Sequence, residues 1–175
     1  MSAPAIHAAG LIDRLESMPG VLRSLAGLIG TNDARWRPDP ASWSTLEIVC
    51  HLVDEEKDDF RARLRSTLED PTRDWAPIDP EGWVEQRGYA EHHLDERLDR
   101  FEYERGVSVV WLRSLESPDW SSERVHPRFG SMKAGDLLAS WAAHDALHLR
   151  QLSRRVYQLT QRDAGPFGCG YAGSW

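Results

Sequence analysis

Long apolar runs are missing from this sequence. None approaches the roughly 20 residues that a helix needs to cross a bilayer, which argues against a membrane protein. Basic clusters are missing too: the 21 Lys and Arg are scattered among 28 Asp and Glu, and net charge is -7. The densest charge run, Asp54-Glu55-Glu56-Lys57-Asp58-Asp59, is acidic. Nucleic-acid binders concentrate positive charge because phosphate neutralisation dominates their affinity, so neither nucleic acid nor a membrane surface is an expected partner. Cysteine is scarce. Cys50 and Cys169 stand alone without a C-x-x-C pairing, which leaves no disulfide framework and no thiolate zinc site. Cys50 falls within an apolar helical pattern and reads as a small core residue rather than a nucleophile. The start, Met1 to His7, has neither the basic stretch nor the apolar core of a secretory signal, and a cytoplasmic protein is expected. Strand alternation, internal repeats and low-complexity tracts are likewise absent.

What is present is helical periodicity. The 175 residues, 41% of them hydrophobic and 28% charged, suit one domain over residues 1–175 with a full core. Leu11, Leu15, Met18, Leu22, Leu25 and Ile29 form one apolar stripe. Pro19-Gly20 should bend or split that first helix. A second helix starts at Ser44, where Ser44 and Glu47 make a capping-box pattern, and Asp70-Pro71 ends it. Residues 71–88 read as a long loop with a short helical turn. A third helix over roughly 89–116 packs through Leu94, Leu98, Phe101, Val109, Leu112 and Leu115. After an irregular stretch from Trp120 to Gly130, a fourth helix over roughly 132–160 presents Leu137, Trp141, Leu152 and Leu159. The tail, residues 163–175, is irregular and Gly-rich. Four amphipathic helices make an all-α bundle the economical fold.

The chemistry concentrates on the fourth helix, in His144-Asp145-Ala146-Leu147-His148. Residues four apart lie one turn apart on one face, so both imidazoles can reach one metal ion. At about 100° per residue, both His also share the arc of Leu137, Trp141, Leu152 and Leu159, and therefore point into the bundle. Two neutral imidazoles in a core need partners. A metal supplies them; so would a neighbouring side chain for each ring. His51 on the second helix is the natural third ligand, because bundle metal sites are built from inward His and carboxylates on facing helices. Read alone it is a boundary residue, on an edge shared with Glu47, Asp54, Glu55 and Asp58. Glu55, one turn after His51, reads as a solvated residue, with a fourth ligand or a base as the sharper alternative. Glu47 is committed to the helix cap. Among Asp54, Asp145 and Gln151, the last shares the face of His148 and is the first choice to accept that ring's second N–H.

The segment Trp43-Ser44-Thr45-Leu46-Glu47-Ile48-Val49-Cys50-His51-Leu52-Val53-Asp54-Glu55-Glu56 strongly resembles the second-helix motif of the DinB-like superfamily. Trp141 to Gln151, Trp-Ala-Ala-His-Asp-Ala-Leu-His-Leu-Arg-Gln, resembles its fourth-helix motif. The resemblance extends over nearly the whole chain except the tail from about residue 163. It implies an up-down-down-up four-helix bundle with a long crossover loop, commonly a homodimer. It also implies a divalent metal ion (Zn, Ni or Fe) held by His51, His144 and His148.

Two function classes follow. Three His leave a coordination position open, so the first is a metal-dependent enzyme on a small-molecule substrate. The resemblance implies a transferase or isomerase using a low-molecular-weight thiol, or a hydrolase; no catalytic residue is assigned. The second is a non-catalytic, metal-stabilised binding or stress-response module. His144-Asp145-x-x-His148 also looks like the zincin H-E-x-x-H helix, but Asp is one methylene short for the base, and His51 lies upstream. Of the eight Trp, Trp43 and Trp141 flank the two motifs and are expected near the site. Trp36, Trp75, Trp83, Trp120 and Trp175 fall in loops or tail, as anchors or as walls of a pocket mouth. The open side of the metal is expected to face a pocket with apolar walls, bordered by the loops 71–88 and 117–131.

Overall fold

In the computed structural model, which describes residues 6–126, 128–173 and 175, the four periodic stretches become four long helical rods. The first rod is α1 (Ala8–Gly27), followed by the short α2 (Gly30–Asp33). The second is continuous but compound: α3 (Thr45–Asp54), a π-helical turn (Glu55–Phe60) and α4 (Arg61–Glu69). After the short α5 (Trp83–Gln86), α6 (Leu94–Ser114) is the third rod and α7 (Ala134–Asp163) the fourth. Pairwise contacts give the directions. Arg113 pairs with Asp13 and Arg23 with Asp99, so α1 and α6 run antiparallel. Leu46, Val49 and Val53 cluster with Leu94, Leu98 and Phe101, and further on Leu64 clusters with Val109 and Leu112, so the second rod and α6 run parallel. Arg155 bonds the Trp43 carbonyl while Trp141 stacks on Phe60, so α7 is antiparallel to the second rod. Met18, Val21, Asp145 and Leu149 border one cleft, and Arg162 pairs with Asp33, so α1 and α7 rise together. This is the up-down-down-up four-helix bundle. Two apolar clusters fill it, one around Leu22, Leu46, Phe101 and Leu152, the other around Leu15, Leu64, Leu138 and Trp141.

Where the clusters meet, an arginine is buried. Arg105, 1% exposed, lies 2.8 Å from Glu56 and forks onto both oxygens of Asp145 at 2.5 and 3.0 Å. Trp141 Nε1 donates to the same Glu56 oxygen at 2.9 Å. The guanidinium also donates to the Leu15 carbonyl at 3.0 Å. That bond explains a departure from expectation. Pro19 lacks the N–H that would bond the carbonyl four residues back, so Leu15 O is the acceptor orphaned by the proline. Arg105 satisfies it, and α1 runs unbroken through Pro19 instead of splitting there.

Three further boundaries differ from the sequence reading. A β-hairpin, β1 (Glu123–His126) with β2 (Gly130–Lys133), stands where no strand was expected. Its strands are four residues long and mostly exposed, so they carry no apolar alternation to read. The third helix starts at Leu94 rather than 89, because Gly88 at φ +58° turns the chain into a separate 3-10 turn, Tyr89–Glu91. The tail contains one 3-10 turn, Gly170–Ala172. Cys50 is buried as expected, and burial pushes its thiol up to about 12.

Replacing Arg105 with Met leaves Glu56 and Asp145 as buried carboxylates without a cation, Glu56 keeping only its bond from Trp141. We expect Arg105→Met to lose about 3–5 kcal/mol in urea unfolding, and joint replacement of Arg105, Glu56 and Asp145 by apolar residues to recover most of it. A single-variant loss below about 1 kcal/mol, the value of an exposed pair, would show that the triad does not carry this junction.

Candidate metal centre

The second rod is registered from its first residue. Ser44 Oγ accepts the Glu47 N–H at 3.3 Å, and Glu47 Oε2 accepts the Ser44 N–H at 2.7 Å, which completes the capping box. Two turns on, His51 faces α7, where His144 and His148 stand one turn apart. The three imidazoles meet edge to edge. His51 Nε2 is 3.4 Å from His144 Nε2, and His144 Nε2 is 3.0 Å from His148 Nε2. One ligand atom from each lies within 4.8 Å of the others. Two nitrogens at tetrahedral angles about 2.0–2.1 Å from one ion stand about 3.3–3.4 Å apart, so the spacing suits a shared cation. Trp43 packs against His51 with ring centroids 4.9 Å apart, and Phe60, from the π-helical turn, packs against His144 at 5.0 Å.

Protonation favours the same reading. Burial, reinforced by the neighbouring imidazoles, depresses His51 to about 2. Burial, with His148 and then Arg105 adding to it, depresses His144 to about 3. His148 is lowered by burial, against a raising bond from Gln151. Gln151 Oε1 lies 2.9 Å from His148 Nδ1. An acceptor there keeps the proton on Nδ1 and leaves Nε2 a bare lone pair. Buried imidazoles that are neutral and aim lone pairs at one point form a donor set for a divalent ion, whereas each would repel the other as hydrogen-bond acceptors.

Gln151 therefore occupies the place expected of it. Asp54 and Asp145 do not. Asp54 accepts from the Tyr89 hydroxyl at 2.7 Å and pairs with Arg87. Asp145 spends both oxygens on Arg105, which also removes the base that a zincin-like helix would need. The cavity over the imidazoles, about 620 Å³, is lined by His144, His148, Leu147, Gln151, Arg150, Arg154 and Trp175. This corrects the expected pocket. The two loops instead pack on each other elsewhere: Trp75 lies 5.8 Å from His126, and Arg124 bonds the Pro71 carbonyl. The cavity wall comes from α7 and the tail, and two of its members are cationic rather than apolar. Sequence reasoning missed Arg150, Arg154 and Phe60; four-residue spacing of the two arginines beside His148 was the available signal.

A helical bundle with a three-imidazole cluster on facing helices, His51 buried and His144 and His148 half-buried, defines the class. Residues 14–152 match the DinB superfamily, and the chain belongs to that family. Among solved structures it is similar to YfiT from Bacillus subtilis, described as a probable metal-dependent hydrolase with an unusual four-helix bundle topology. That likeness has a TM-score of 0.76 at 19% identity, over 89% of this chain and 91% of YfiT. No curated protein matches this sequence.

Glu55 is the other unforeseen residue. Expected on a solvated face, it is 5% exposed, and its Oε1 has no hydrogen-bond partner among the described residues. The π-helical turn rotates it inward beside Asp59, itself 2.7 Å from Arg63. Burial, then the Asp59 carboxylate, push Glu55 from 4.5 up to about 8. The folded chain thus keeps a proton that the unfolded chain releases above 4.5, and stability falls as pH rises from there to about 8. Glu55→Gln cannot ionise. Its stability relative to the parent, read from urea unfolding at several pH values across that window, should rise with pH; a constant difference would show that Glu55 is ionised in the fold.

Proposed function

We propose that His51, His144 and His148 hold one divalent metal ion, zinc, nickel or iron, and that the chain uses it to act on a small molecule. The observation that supports this reading is the convergence of three neutral Nε2 atoms beside an open cavity. When bound at three nitrogens, such an ion supplies Lewis acidity, polarising an acyl or phosphoryl oxygen and acidifying a water or thiol that shares the site. The chain's own part is to hold that site in shape. Gln151 fixes the His148 tautomer, Trp43 and Phe60 hold the flanking rings, and the cavity admits substrate from the α7 side. With Cys50 buried and raised to about 12, and Ser44 spent on its cap, no protein nucleophile stands at the imidazoles among the described residues. Hydrolysis is the reaction this supports first, in line with the description of YfiT. Transfer of a low-molecular-weight thiol is the second, since a thiol would bind the same open position. A non-catalytic metal-stabilised module is the remaining alternative.

Elemental analysis of the reconstituted chain should find about one divalent ion per chain, and His148→Ala should lose most of it. Gln151→Ala should weaken metal affinity about 10–100-fold while the metal-free chain unfolds at the same urea concentration as the parent. A parent chain that retains no zinc, nickel or iron would end the metal reading. Ester and amide hydrolysis, and thiol conjugation to electrophiles, should be measured for the metal-loaded parent, the chelated parent and His51→Ala. Equal background rates in all three would favour the binding module.

A further inference from the structure

Arg150 and Arg154 stand one turn apart on α7, on the wall of the cavity that contains His144 and His148. In a chain with 28 Asp and Glu, Arg14, Arg73 and Arg128 stand exposed without an ion pair among the described residues, whereas other guanidiniums find a carboxylate. Arg23, Arg113 and Arg162 each do, at 2.5–3.2 Å. Arg150 and Arg154 are exposed, and neither has an ion pair or a hydrogen bond among the described residues. The carboxylates nearest in sequence are unavailable to them. Asp145 is sealed in the core with Arg105, and Asp163 is bonded to Arg162. Two uncompensated cations therefore border the candidate metal centre, while the rest of the surface is predominantly acidic.

Resting on the metal reading above, we propose that this cavity selects small organic carboxylates, with Arg150 and Arg154 gripping the carboxylate while the reacting end of the molecule lies over the imidazoles. The guanidinium fork matches a carboxylate with two parallel N–H donors. Along the helix axis the two arginines lie roughly 3 and 9 Å beyond His148, and at about 100° per residue they leave α7 roughly 160° and 120° round from it, so their long stems reach the imidazoles only across the shared cavity. A phosphate fits less well. The fork accepts phosphate too, but phosphate sites commonly add backbone amides at a helix N-terminus or a Gly-rich loop, and these arginines lie mid-helix, where the amides are already spent. Exposed Leu147 and Trp175, which stacks on Tyr157 with centroids 5.5 Å apart, give the same cavity an apolar surface for the carbon chain.

Cobalt(II) absorption reads ligand binding without turnover. The cobalt-loaded chain is titrated with 3-mercaptopropionate and with 3-mercapto-1-propanol, whose thiols are alike and whose far ends differ in charge. The carboxylate-bearing thiol should bind about tenfold or more tightly, the effect of a charge-assisted pair. Added salt should reduce that preference. The double variant Arg150→Gln/Arg154→Gln should lose it, with cobalt content and thermal unfolding unchanged. Equal affinities in the parent, or a preference that survives the double variant, would overturn the assignment of these arginines. A parent that takes up no cobalt fails one step earlier, at the metal centre itself, and takes this proposal with it.

Discussion

The bundle depends on a buried cation. Arg105, on α6, ties its own rod to the other three: it pairs with Glu56 on the π-helical turn and Asp145 on α7, and it satisfies the carbonyl that Pro19 orphans on α1. An ion pair of this kind is a weak source of net stability, because desolvation offsets most of the attraction. Its contribution is to geometry. An apolar contact tolerates sliding by an ångström or by a helical turn, whereas a fork bonded to four acceptors does not. Asp145 follows His144 in sequence, and Glu56 lies five residues after His51, so the same guanidinium that locks the rods sets the register between the two halves of the imidazole cluster.

The π-helical turn belongs to this arrangement. Between Asp54 and Arg61 the second rod takes about one residue more per turn, a feature frequent at functional sites. Upstream of it the helix presents His51 to α7. Downstream, Phe60 is offset so that it stacks on Trp141 and covers His144. The same turn carries Glu55 inward and places Glu56 against Arg105. A regular helix over these residues would aim one of these side chains elsewhere, so the acidic run that looked like a solvated face is a buried polar seam.

The long elements were legible because apolar residues recur at the helical period over many turns. His144 and His148 were legible because they share an arc with Trp141 and Leu152. His51 was not settled by its own helix; its edge position became meaningful only opposite a partner pair. Arg105 could have been noticed: it falls four residues after Phe101 and four before Val109, in the apolar stripe of α6, and Asp145 follows Trp141 by four in the same way. Charge at a stripe position implies a buried partner. The hairpin was illegible because four exposed residues per strand leave no pattern, and the π-helical turn because one extra residue in a rod changes no composition. The cavity's location depends on how the tail and loops drape over the bundle, which local periodicity does not encode.

Charge accounting around the imidazoles connects these observations. Glu47 is paired with Arg37 and Asp54 with Arg87, while Glu56 and Asp145 share Arg105. Burial holds Glu55 toward its protonated form. Nearly every carboxylate close to the cluster is thus cancelled by a partner or by a proton, although the chain as a whole carries -7. The three imidazoles are neutral ligands, so a divalent ion held by them keeps its full charge, unlike one bound by carboxylates. In the proposed centre that charge and the two free guanidiniums face the same cavity, where low-dielectric walls extend its reach. An acidic protein can in this way present one cationic recess, and the long-range attraction it exerts favours negatively charged small molecules.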